Sequence, residues 1–483
     1  MSKSVVFLLV FFLISHSPSL LAEEEHEDQN TLTKSEFLIP IEEIIAQFSL
    51  VDKDPDSFII NLDLSTIVPA IEKKNYFKPL WDITKLNFVV WTFDRLVLDG
   101  TWTRISLNTI SDNFKSGLVW DYDDFGTNQF GHPYHGALFH SIARCHGMNF
   151  IESSVYTYIG SLTWEFLWEA ERPGRNDHYF SAFGGIHLGE ALYRMASLIS
   201  YKKSTGINRI LKKTLQIIVN PVVGVSDFPW TGSESENAGM THVYDFKLPI
   251  GAFYSSDNET IMFIRPRFEY RNGIQNDGSK LRPYDWFHFQ ANIGISDHGI
   301  RDPVLSTYGV LFGKKFQNGC TGLFGLFDYM DTHMAQQMSA VGIGPGFATS
   351  SESQSNLFLN SSGVFSFVFG SSSATIPYSH PDYELENTQP YHFGPGLMGK
   401  IKFEMGKKGL GSFYTGFSKY WINATLVDAK EVMSVISFDL NLNMSARSQI
   451  SLGYDYYIRS ARLENQHFTR SKNAIRAMYV LSF

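Results

Sequence analysis

The chain has 483 residues, of which 18% are charged and 15% aromatic, with 38 Gly and a formal net charge of −9. Few charges among many aromatics exclude a disordered chain. The acidic balance excludes nucleic acid as a main partner, and two cysteines, Cys145 and Cys320, exclude a disulfide scaffold and are expected as free thiols.

Lys3 precedes the apolar run Val5 to Ile14, and small residues follow up to Ala22. A basic start, a short apolar core and a small residue at the end predict a signal peptide over 1–22, too short to span a bilayer. An acidic leader, EEEHEDQN, comes next. Short helices are predicted over 40–49 and 87–97, and 112–130 reads as loop or extended chain.

Residues 132–220 read as helical. One helix is expected over 133–147, opened by Pro133 and stopped by Gly147. A second, over 152–174, stops at Pro173-Gly174. A third, over 176–202, is capped by Asn176 and Asp177, with Gly185 and Gly189 placed to let another helix approach closely. A fourth covers 207–220. Helices apolar on nearly all sides must be buried against protein or lipid.

From about 243 the apolar period changes to two, the strand signature. In 260–271, Met262, Ile264, Phe268 and Tyr270 share one face, while Arg265, Arg267, Glu269 and Arg271 share the other. Some twelve such runs follow to the end of the chain. Many of them have ten or more residues, the length a tilted strand needs to cross a bilayer. Long hairpin-joined strands in lipid must close, because unpaired backbone there costs several kcal/mol. The expected fold class is α+β: a helical N-terminal segment, then an antiparallel transmembrane β-barrel of about twelve strands. The expected division is 1–22, 23–240 and 241–483. The final strand alternates through Ala477, Tyr479 and Leu481 to a terminal Phe483, an ending that resembles the insertion signal of outer-membrane barrels. Outer-membrane lipid and the barrel-insertion machinery, through Phe483, are therefore the expected partners, and the outer membrane the expected location.

The segment from Trp120 to Gly136 reads WDYDDFGTNQFGHPYHG, Gly160 to Glu165 reads GSLTWE, and Asn176 to Arg194 carries ND, GG, GE and YR in that order. These blocks resemble the family called domain of unknown function 3943, over roughly 87–197. The chain departs from that pattern with GRND before the third helix and with His140 where an Asn is common. The resemblance implies an envelope location and a helical segment beside a barrel, and no activity.

The same segment holds the candidate site residues. His132 and His135, three apart, fit one helix turn. Glu165 and Glu169, four apart, fit one helix face, and His187, Glu190 and Arg194 fit another. Together with Asp177, His132, His135, Glu165, Glu169 and Glu190 are the candidates for acid–base chemistry. His nitrogen and carboxylate oxygen also suit zinc, although neither spacing is a known metal motif, and no cofactor or metal is expected. The competing reading is structural: buried polar groups pair with each other, and Glu190 with Arg194 is a ready ion pair. No nucleophile elbow or phosphate loop occurs. The favoured function is a structural or passive-transport barrel with a helical module that is periplasmic, docked, or a plug in the lumen. The alternatives are a lipid-active enzyme using the His/Glu cluster, and a surface adhesin displaying 371–391.

Overall fold

The computed structural model describes residues 60–61, 74–120, 125–200, 206–226, 241–256, 259–272, 280–296, 299–332, 336–373, 391–425, 429–463 and 466–483. The predicted signal peptide, the helix over 40–49 and most of the 371–391 loop lie outside these residues.

Two α-helices open the described chain, α1 (Phe77–Leu96) and α2 (Leu107–Ser116). The segment read as loop over 112–130 is thus helical at its start, where the Ser106 hydroxyl accepts from the Thr109 N–H and caps α2. It is helical again at its end, in a π-helical turn Thr127–Gly131 that leads into α3 (His132–Cys145). Asn149 and Glu152 form a reciprocal capping box at the start of α4 (Phe150–Thr163). A second π turn, Trp164–Trp168, ends that helix well before Pro173. Then come α5 (Arg175–Tyr179), a third π turn (Phe180–Gly184), α6 (Gly185–Ser200), α7 (Gly206–Val219) and α8 (Pro221–Val225). Asn176 and Asp177 do not cap: the cap position is Gly174, and both side chains are buried inside the first turn.

α3 and α6 pack closely. A methyl group on Gly185 would sit 2.5 Å from the Gly136 carbonyl carbon, and one on Gly189 would sit 2.7 Å from His140 Cβ. Backbones in such contact leave no room for Ala, which is why glycine stands at these positions. Phe139, Phe180, Leu188 and Ala191 are fully buried around this crossing. Cys145 and Cys320 are free and buried.

Twelve antiparallel strands follow and close on themselves. They are β1 (Thr241–Ser255), β2 (Thr260–Ile264 continued by Arg267–Asn272), β3 (Trp286–Ser296) and β4 (Gly299–Phe316). Next are β5 (Gly319–Thr332), β6 (Gln336–Glu352), β7 (Leu357–Ser373) and β8 (His392–Lys407). The last are β9 (Gly411–Asn423), β10 (Ala429–Ser445), β11 (Ser448–Leu463) and β12 (Gln466–Ser482). Each pairs with its sequence neighbour, and β12 pairs with β1 from Ala474↔Ser255 to Ser482↔Lys247, which abolishes the sheet edges. Pro266, which lacks an N–H, marks the break in β2, where the Arg265 N–H reaches the Pro249 carbonyl and the Pro266 carbonyl accepts from the Ala291 N–H.

The two faces of the wall differ as the alternation predicts. Met262, Ile264, Phe365, Phe367, Leu440 and Leu452 point outward and are exposed. Arg267, Asp328, Lys400, Glu404, Asp439 and Arg476 point inward, where they bond across the barrel between strands that are not neighbours.

The helices lie on the outer face of this wall. Tyr329 of β5 packs against Phe125 and Phe130, with ring centroids 5.7 and 5.2 Å apart. Phe183 meets Phe369 of β7 at 4.8 Å, and Phe180 meets Phe393 of β8 at 5.8 Å. Ser339 of β6 donates to Gln129 at 2.5 Å, and Arg194 donates to the Pro283 carbonyl at 2.9 Å. All these wall residues share the outward face, so the described helices are not a plug. The apolar helix faces are buried instead against the barrel's own apolar exterior.

Candidate functional site

Two places concentrate polar groups, the lumen and the heart of the helical module. In the lumen, Lys400 Nζ bonds both oxygens of Asp328 at 2.7 and 2.8 Å, and Tyr420 donates to the same carboxylate at 2.8 Å. Lys247 meets Glu404 at 3.0 Å, and Arg267 meets Asp439 at 3.0 Å. Arg476 bridges Asp439, at 2.6 Å, and Asp455. These pairs cross the interior and draw the wall together. Among the described residues, cavities of about 80 and 100 Å³ lie between these pairs, and Lys402 and Tyr414 line both. Each has room for a few waters, which occupy about 30 Å³ apiece in the liquid.

In the module, three segments bring His132, Glu165 and Asp177 together. His132 opens α3, Glu165 lies in the π turn after α4, and Asp177 sits in α5. One ligand atom from each lies within 4.8 Å of the others, and all three residues are buried. His132 Nδ1 stands 3.8 Å from Glu165 Oε1 and 3.1 Å from Ser181 Oγ. The Gly174 N–H donates to Glu165 Oε2 at 2.7 Å, and Asn176 donates to Asp177 Oδ1 at 3.0 Å. The arrangement offers one imidazole and two carboxylates held by neighbouring donors, a set able to exchange a proton or hold a cation.

The other candidates are elsewhere. His135 does not share a partner with His132; its ring lies 4.3 Å from Phe139 and 4.8 Å, edge-on, from Trp164. Burial, then the neighbouring His132, press its imidazole down to about 3. Glu169 leaves the face of Glu165 because the π turn changes the spacing, and it accepts from the Trp164 indole at 2.6 Å. Glu190 belongs to a separate network. Arg144 and Arg194 stand 3.0 and 2.8 Å from its oxygens, and His140 Nε2 lies 3.0 Å away. Burial opposes ionisation there, but the two guanidinium groups and His140 hold the carboxyl well below its usual range. This network ties α3 to α6, the structural role read from the Glu190–Arg194 spacing.

Ser181 and Arg144 escaped the sequence reading, as did Tyr391, whose hydroxyl accepts from Asn128 at 2.7 Å and from Asn176 at 3.2 Å. Asn128 and Asn176 were visible in the motif blocks, without a role.

The pattern of the family described as domain of unknown function (DUF3943) matches residues 117–222, which include every residue of this cluster. No curated protein matches the chain. Similar solved structures include the NanC porin, 12% identical, covering 48% of this chain and 98% of its own, with a TM-score of 0.27. OmpT, an outer membrane protein of Vibrio cholerae, is 8% identical and covers 50% of this chain and 98% of its own, with a TM-score of 0.21. An outer membrane channel from Pseudomonas putida F1 is 10% identical and covers 50% and 95%, with a TM-score of 0.23.

Proposed function

We propose that this chain is an outer-membrane protein whose barrel gives small hydrophilic solutes passive passage and whose outer wall carries a helical module. One observation supports the reading above others: the same strands present apolar side chains outward and, among apolar ones such as Phe324, Leu326 and Met398, a set of charged ones inward around a closed ring. Lipid is the partner of the exposed outer side chains. The insertion machinery is the partner of the C-terminal strand, whose Phe483 N–H donates to the Phe246 carbonyl at the seam. The crossing ion pairs stand beside cavities of only about 80 and 100 Å³, so the proposed passage is confined to ions and small solutes. In planar bilayers the full chain is expected to give a small conductance, raised when Asp328 and Lys400 are both replaced by Ala. Silence from both chains would overturn the transport reading.

A second reading, a lipid-directed enzyme, is favoured by the convergence of His132, Glu165 and Asp177 in a module with exposed Phe77, Trp81, Phe88, Ile151 and Val155. In it, Glu165 or His132 moves the proton. Lipid profiles of cells expressing the wild-type and Glu165→Gln chains separate the two readings: identical profiles would exclude the enzyme.

A further inference from the structure

We propose that His132, Glu165 and Asp177 bind one first-row divalent cation, zinc or manganese, inside the helical module. The inference is independent of the transport reading, since the cluster lies outside the lumen.

The donor chemistry fits. Imidazole nitrogen and carboxylate oxygen are the ligand types of zinc and of other first-row divalent ions. Three protein ligands leave further positions open, as in a site that keeps a water or takes a substrate. The geometry is close to that of a loaded site. Bonds of about 2.0–2.2 Å put neighbouring ligand atoms roughly 3–3.5 Å apart, and here they lie within 4.8 Å, so a small closing of side chains surrounds an ion. The charges fit as well: two carboxylates this close in a buried place repel, and a doubly positive ion with a neutral imidazole balances them.

The surroundings are those of a built site. Both carboxylate ligands are held by a second group: Glu165 by the Gly174 N–H and Asp177 by Asn176. Such outer partners orient ligands and tune their affinity. The three π turns of the module all border the cluster. One ends at Gly131 beside His132, one contains Glu165, and one contains Ser181. Inserted residues of this kind re-aim side chains and recur at functional sites. The Glu190 network offers a contrast within the same module. There Arg144 and Arg194 stand against the carboxylate, a set of groups suited to an ion pair and not to a metal ion.

The test uses the full chain purified in detergent, stripped with a chelator, and titrated with Zn2+ or Co2+ against a competing chelator. The expected result is about one tight equivalent per chain, as metal and folded site are linked, with a visible Co2+ spectrum of nitrogen and oxygen ligation. His132→Asn and Asp177→Asn are expected to weaken binding by about tenfold or more, while His146→Asn, at a partly exposed position paired with Asp82, leaves it unchanged. X-ray absorption at the zinc edge of the wild-type chain serves where a variant fails to fold. It is expected to show light ligands at about 2.0–2.2 Å with a single imidazole. No retained ion, equal binding by the site variants, or a shell of several imidazoles would each overturn the proposal.

Discussion

Phe327 and Asp328 are consecutive residues on opposite sides of one wall. Phe327 is fully buried beneath the helices, and Asp328 is locked to Lys400 and Tyr420 in the lumen. A single peptide bond thus joins the docking face of the module to the charged interior of the barrel. Substitutions at this point separate the two halves of the molecule experimentally.

On the inner side, Asp328→Ala leaves the Lys400 ammonium buried without its carboxylate. Breaking a buried pair costs about 3–5 kcal/mol. Adding Lys400→Met is expected to recover much of that loss, because the orphaned charge is gone. Heat-modifiability gels across a temperature series measure both. A double variant no more stable than the single one would show that the loss does not come from an orphaned ammonium.

On the outer side, Gly325→Val is expected to undock the helices and spare the barrel. A side chain there meets the His187 ring, whose Nδ1 lies 3.1 Å from the Tyr284 hydroxyl. Overpacking of this kind costs about 1–3 kcal/mol. Limited proteolysis of the variant should cut within 77–225 while the barrel band survives. Unchanged protection of the helices would contradict the outer-wall docking.

Acid is expected to loosen the module. Burial, then His140, hold His187 down at about 3, below its ordinary value of 6.5. The unfolded chain therefore binds more protons between those values, and stability contributed by the neutral ring is lost as pH falls from 6.5 toward 3. Glu190, also held low, acts in the same direction below its ordinary value of 4.5. Asp94 works against them: burial raises it to about 6, so its contribution falls as pH rises from 3.8 to 6. Tryptophan fluorescence from Trp91, Trp164 and Trp168 follows the module, and His187→Phe should flatten its acid limb.

The seam offers a fourth test. The Phe483 ring lies 5.5 Å from Phe246 and its N–H is bonded to the Phe246 carbonyl. Phe483→Ala should lower the yield of folded barrel, and Phe483→Trp should restore it. Equal yields from all three chains would remove any special role for the terminal ring.

The barrel was readable because its physics is local. An alternation such as Met262, Ile264, Phe268 and Tyr270 against Arg265, Arg267 and Glu269 survives even the break at Pro266. The docking was not readable, because outward residues covered by helices look like those that meet lipid. Phe287 and Phe289 are covered while Ile293 and Ile295 of the same strand are exposed, with no change in pattern between them. In the candidate site, spacing failed for His132 and His135, which share α3 but meet different neighbours, and for Glu165 and Glu169, where a π turn intervenes. The four-residue step from Glu165 to Glu169 assumes an unbroken α-helix, and the turn at Trp164–Trp168 puts the two carboxylates in different surroundings. Glu190 with Arg194 lies in regular α-helix, and there the same rule succeeded.

The helices are translated before the strands that receive them. Their contacts reach from Tyr270 of β2 to Phe393 of β8, so the seat is complete only once those seven strands have been made. A helical module made before β8 has no wall of its own chain to cover its apolar side. Docking therefore follows the synthesis of β8, and a finished helical module is itself a report that the strands from β2 to β8 are in place.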